Sequence, residues 1–226
     1  MAARQVACPA ISKIFNTGIP LSKPDTMPSH YPFLALALLF VYFTLHSALA
    51  ATRVKAWFAG RLGRYYRLYR LLYNALAIVL LFFILRWMFG WPDDYLFAPA
   101  FWSRGSAFIL LATGIGMSIA ALRQYNLGEF TGLQQLRQRS AIADHSALNT
   151  TGLNAFVRHP LYLATVLMLT GFFCAFPKIS ALILLASVLL YLPFGIHFEE
   201  KKLRRQFGQA YLEYEKRVKR LIPGIW

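Results

Sequence analysis

Two short clusters hold the residue types able to do chemistry: Arg158-His159-Pro160-Leu161-Tyr162, and Glu199-Glu200. Between them the chain is almost wholly apolar, long enough to run out and back as a helical hairpin. Antiparallel helices of similar length bring a cationic motif and an acidic pair to the same end. Such a meeting point at a membrane surface reads as an active site. Each cluster also has a plain structural explanation. Arg158 can anchor on lipid phosphate with His159 on the surface, and paired carboxylates suit a helix N-terminus. Those explanations are less comfortable together, because both clusters flank one hairpin and the polar stretch 138–154 must lie beside them.

The elements that position these clusters follow from composition and hydropathy. Of 226 residues, 58% are hydrophobic, too apolar for a soluble domain, so the chain is expected to be an all-α polytopic membrane protein. Five spans are expected, at about 32–51, 71–89, 106–122, 156–176 and 179–197. Gly114, Gly116 and Ser118 of the third suit close helix approach. Pro193 and Gly195, in the last turns of the fifth, are expected to kink it and open the backbone near the site. Beyond it, Leu203, Phe207, Tyr211, Tyr214 and Val218 recur at helical spacing, which predicts an amphipathic helix on the membrane surface or over the cavity. Three regions result: a disordered tail over 1–30, three spans over 31–122, and a core over 123–226. Met27 directly precedes the first apolar segment and is expected to be the native start; N-terminal sequencing that found residues 1–26 in the natural product would overturn this.

Lys+Arg 24 against Asp+Glu 9 gives a formal charge of +15. The basic residues cluster in the 53–70 link, in 123–158 and in the tail after Glu200, whereas the opposite loops hold only Arg104 and Lys178. Positive-inside asymmetry therefore places Arg158, His159, Glu199 and Glu200 on the cytoplasmic side. The charge serves topology and anionic lipid, and no nucleic-acid-binding motif accompanies it. The 53–70 link interleaves its cations with Trp57, Tyr65, Tyr66 and Tyr69, as an interfacial loop does. Cys8 and Cys174 sit in a polar tail and an apolar hairpin, and neither a disulfide framework nor a metal site is expected.

The motif Arg158-His159-Pro160-Leu161-Tyr162, the hairpin, then Glu199-Glu200, Leu203, Phe207-Gly208, Tyr211, Tyr214, Val218 and Ile222-Pro223 resembles the isoprenylcysteine carboxyl methyltransferase family of integral-membrane enzymes. The likeness covers about residue 124 to the C-terminus. It implies S-adenosylmethionine as cofactor, with Ser146, Ala147, Leu148 and Asn149 forming a loop over it. Arg158, His159, Pro160, Leu161 and Tyr162 would then line its pocket, and Glu199 would hold it from the other side of the hairpin. Where that family commonly has Tyr two residues after the loop glycine, this chain has Asn154 after Gly152. Where prenylcysteine enzymes carry Arg four residues before the acidic pair, it has Gly195, so the expected grip on a substrate carboxylate is missing.

Tyr125-Asn126-Leu127, Gly132-Leu133-Gln134-Gln135, Gly195-Ile196-His197-Phe198 and His46-Ser47 are more similar to the bacterial methanethiol S-methyltransferase branch. That branch implies a small or lipophilic acceptor, most simply a thiol, at the inner membrane; Glu200, His197 and His46 are the residues expected to face it. No protein partner and no nucleic acid are implied. The alternatives are carboxyl methylation of an isoprenylcysteine-like acid and, from another class, a non-catalytic membrane accessory of the same fold.

Overall fold

The computed structural model describes residues 28–124 and 148–224; most of the N-terminal tail, the polar stretch 125–147 with Ser146 and Ala147, and the last two residues lie outside. Helix α1 spans Tyr31–Ala50, α2 Thr52–Leu62, α3 Tyr69–Met88 and α4 Phe101–Leu122. After the undescribed stretch come α5 at Pro160–Ala175, α6 at Ile179–Phe207 and α7 at Gln209–Arg217. The chain is an all-helical integral membrane protein, with no strand among the described residues. Among the described residues four segments are long and apolar enough to cross a membrane, whereas α5 has 16 residues. At 1.5 Å per residue α5 reaches about 24 Å, short of a hydrocarbon core of about 30 Å. Phe33, Phe82, Phe83, Ile109 and Phe194 point outward. In a bilayer such side chains face lipid.

The 53–70 link is helical rather than a loop: α2 runs into a 3₁₀ segment, Gly63–Leu68. Its cations lie over aromatic faces, Arg61 at 5.4 Å from the Trp57 ring centre and Arg64 at 4.9 Å from Tyr65. A helix lets the basic and aromatic residues share an interface without leaving backbone groups unpaired.

Two interfaces fix the site. Antiparallel α4 and α5 approach through small residues, with Ala107, Gly114 and Ala121 on α4 facing Ala164 and Gly171 on α5, all buried. A β-carbon on Gly114 would stand 2.9 Å from the Ala164 carbonyl oxygen, and one on Gly171 would stand 3.1 Å from that of Ala107. No side chain fits there, which is why the helices pack so closely. Gly116, expected to share in this contact, has no neighbour among the described residues within 4 Å of where a β-carbon would be. On the other side α1 meets α6, and Phe43 stacks on Tyr191 with ring centres 5.0 Å apart.

Helix α6 differs from expectation in length. It passes unbroken through Pro193 and Gly195 and ends only at Gly208, whose φ of +53° suits a residue without a β-carbon. The amphipathic pattern that predicts one separate helix is thus divided: its first half prolongs α6 and its second is α7. Tyr211 and Tyr214 of α7 are buried, and the chain beyond returns Leu221 to pack on Leu192 and Ile196.

Candidate functional site

Pro160 stands at the first turn of α5, where its missing N–H costs nothing. That leaves Val157, Arg158 and His159 extended enough to pair with the returning tail. The Arg158 and His159 amides donate to the Lys219 and Arg220 carbonyls at 2.8 and 3.1 Å. The hairpin entrance is therefore closed by residues some 60 positions away, a contact no local pattern announces.

Around this pairing lies a buried ionic cluster. Arg158 donates to Glu200 Oε1 from Nε at 3.0 Å and from the terminal nitrogen at 2.6 Å, and its other nitrogen reaches the Glu215 and Val218 carbonyls. Arg220 Nε lies 3.1 Å from Glu200 Oε2, and Arg204 bridges Glu215 at 2.8 Å while standing 3.7 Å from Glu200. Arg158 and Glu200 side chains are only 7% and 2% exposed. Burial at this depth is tolerable because nearly every lone pair and N–H has a partner.

His159 joins the two carboxylates. Its Nε2 is 3.4 Å from Glu200 Oε1 and its Nδ1 3.7 Å from Glu199 Oε2. Both ring nitrogens thus face a carboxylate oxygen, and which of them donates depends on the tautomer. Adjacent in sequence, the two glutamates differ: Glu200 is consumed by cations, while the Glu199 side chain is 43% exposed and open to a ligand. Tyr162 follows, its ring centre 5.5 Å from that of His159.

The remaining expected residues divide. Leu148 and Asn149 are half-buried at the start of the second described segment, and Asn149 holds Gln124 and Thr151 by hydrogen bonds of 3.2 and 2.9 Å. Gln124 occupies the place of a Gly152 side chain, and Gly152 has φ +58°. Asn154 is buried, and its carbonyl accepts a 2.6 Å bond from the Tyr214 hydroxyl. Pro160 is buried and Leu161 half-buried beside the cluster. His197 is exposed on α6, its ring against Phe198, and is not gathered with the others. His46 lies on α1 between Tyr42 and Tyr73, with ring centres 6.1 and 6.0 Å away, and its buried Nδ1 has no hydrogen-bond partner among the described residues. Ser146 and Ala147 lie outside the described residues.

Arg220 and Tyr211 were not singled out as site residues from sequence, since one counted as a topology charge and the other as an apolar helix position. Burial pushes the Tyr211 hydroxyl well above the usual phenol range, and the nearby Glu200 carboxylate adds to this. Tyr211 is 1% exposed and its hydroxyl has no hydrogen-bond partner among the described residues. Tyrosine recurring where leucine would serve was the signal available. A buried phenol close enough to feel the Glu200, Glu199 and Arg158 charges suits a polar ligand.

A polytopic helical membrane protein with a polar site closed by its own C-terminal tail is the class that fold and site define. The chain belongs to the NnrU protein family, whose model matches residues 33–224. It is 28% identical over 224 residues to methanethiol S-methyltransferase 1 of Bradyrhizobium diazoefficiens, covering 94% of this chain and 72% of that one. A methanethiol S-methyltransferase from a Pseudomonas species is 26% identical over 190 residues, 82% of this chain and 71% of its own. That of Pseudomonas deceptionensis is 24% identical over 220 residues, 93% and 80% of the two chains. No solved structure matches.

Proposed function

We propose that this protein is a membrane-embedded methyltransferase that uses S-adenosylmethionine to methylate a small thiol such as methanethiol, with its site facing the cytoplasm of a bacterial inner membrane. One observation carries the reading: His159 and Glu199, which the family resemblance assigns to the cofactor, come from opposite ends of the hairpin and stand 3.7 Å apart. The relatives' names supply the reaction, and the basic ends of the spans supply the orientation.

S-adenosylmethionine, when bound, supplies an electrophilic methyl group on a sulfonium sulfur. Glu199 would accept hydrogen bonds from the cofactor's amino or hydroxyl groups, His159 would face its carboxylate, and Tyr162 and Tyr211 would wall it. Transfer forms a bond from the acceptor sulfur to the methyl carbon. The old carbon–sulfur bond breaks with its electron pair left on the departing thioether, and the thiol proton leaves to water. The protein's task is positioning and exclusion of competing water rather than covalent chemistry. Glu200 and Arg158 serve that task indirectly, holding the His159 ring in register.

Two measurements test this. Calorimetry of the purified protein in detergent with S-adenosylhomocysteine should give binding, weakened about tenfold or more in Glu199→Ala, as loss of a charge-assisted hydrogen bond predicts. No heat for the unmutated protein would end the enzyme reading. Cells given methanethiol should release dimethyl sulfide; methyl ester on a prenylcysteine analogue without sulfide would replace the thiol with a carboxylate acceptor.

A further inference from the structure

Beside the α5–α6 turn, a cleft of about 430 Å³ opens between the start of α4 and the end of α5. Phe108, Leu111, Ala175 and Phe176 line it, with Tyr95 and Pro99 of the preceding loop. That loop is held in place, because the Leu96 amide donates to the Pro177 carbonyl at 2.7 Å and Tyr95 pairs with Lys178. The volume is within the range that seats a ligand. From Ile179 to Glu199 helix α6 rises about 30 Å, one hydrocarbon thickness, so the cleft and the charged site stand at opposite ends of a membrane-spanning helix.

The charge at the cleft is unbalanced. Arg104 lines it from the first turn of α4, which holds no acid, so the helix dipole disfavours that cation unless an anion joins it. Its guanidinium has no partner among the described residues. A second cation, Lys178, lies 4.9 Å from the ring centre of Tyr95. Of the two loop carboxylates, Asp93 is engaged at the Ser180 amide, and Asp94 is exposed and outside the lining. Phe101 and Trp102, both exposed, stand in the same turn as Arg104, as aromatic residues do at a headgroup boundary.

We propose that this cleft binds an anionic phospholipid, with one acyl chain against Phe108, Leu111 and Phe176 and the phosphate at Arg104. An apolar lining with one unpaired cation at the membrane boundary is complementary to an amphiphile. A soluble anion would leave the lining unfilled, and a neutral hydrocarbon would leave Arg104 unpaired. A zwitterionic headgroup would bring its own cation toward Arg104 and Lys178, so a net negative one is preferred. This site is independent of the methyl acceptor.

Many other cations on this chain attract anionic lipid, so the test must report on the cleft itself. The full chain in non-ionic detergent is photolysed with phosphatidylglycerol carrying a diazirine on one acyl chain, and the crosslinked peptides are mapped by mass spectrometry. Crosslinks should fall on the segments holding Phe108, Leu111 and Phe176. Unlabelled phosphatidylglycerol should displace them at about fivefold lower concentration than phosphatidylcholine of the same chains, the worth of one cation near a lipid headgroup. Arg104→Gln should abolish that difference and Arg104→Lys should keep it. Ala175→Phe, which fills the cleft from α5, should remove the crosslinks there while those at the basic 53–70 link persist. Equal displacement by the two lipids, or a preference unchanged in Arg104→Gln, would overturn the proposal. So would a cleft that yields no lipid crosslink, or one that a bifunctional reagent joins to residues 1–27 of the same chain.

Discussion

The two ends of the α5–α6 hairpin are built on opposite principles. At the turn, Asp93 Oδ2 accepts the Ser180 amide at 3.0 Å, Leu96 pairs with the Pro177 carbonyl at 2.7 Å, and Lys178 lies 4.9 Å from the Tyr95 ring centre. These contacts satisfy a helix start and a loop, and each involves one charged group at most. Nearby, a cleft of about 430 Å³ is lined mainly by apolar groups, among them Pro99, Phe108 and Phe176, with Arg104 its one charged residue. At the open end, Arg158, Arg204 and Arg220 converge with Glu200 and Glu215, and His159 is held among them. A protein concentrates buried charge at such desolvation cost where the charge orients something. The cleft at the turn gathers no such cluster of charges among the described residues.

Substitutions at the two ends sharpen this contrast. Glu200→Ala leaves Arg158 buried without its carboxylate and should cost about 3–5 kcal/mol, read as a collapse of the thermal transition in detergent. A transition unmoved by that change would mean the cluster is solvated and not structural. Between the ends, Gly114→Leu forces a side chain against the Ala164 carbonyl and Met168 and should cost about 1–3 kcal/mol. The same change at Gly116, which faces open space, should cost little. At the turn, Asp93→Ala removes one acceptor from the α6 start and should cost about 1 kcal/mol, with S-adenosylhomocysteine affinity unchanged. An affinity loss there matching that of Glu199→Ala would erase the distinction between the ends.

The spans were legible because apolar runs and loop charge are local properties. The fold class follows from them, and α1, α3 and α4 begin and end within a few residues of expectation. The pairing of the Arg158-His159 motif with Glu199-Glu200 was legible for the same reason, since a hairpin has only one way to bring its ends together. Local pattern did not reveal where α6 stops. The helix signal continues through Lys201 to Phe207, and only Gly208, with its positive φ, ends it. Nor did pattern fix where α5 starts, because flanking residues that look apolar, such as Val157, are spent on pairing with the tail.

By itself, then, the sequence determined a membrane protein whose ionisable residues gather at one end of a hairpin, together with the family to which it belongs. Tertiary structure decided which glutamate is spent on arginines and which faces outward. It also drew Arg220 and Tyr211 into the site, and tied Tyr191 to Ser47 across 144 residues. The physical reason is the range of each effect. Hydropathy and helix periodicity act over a turn or two of one segment. Burial and the partner of a charge depend on what the rest of the chain brings alongside it.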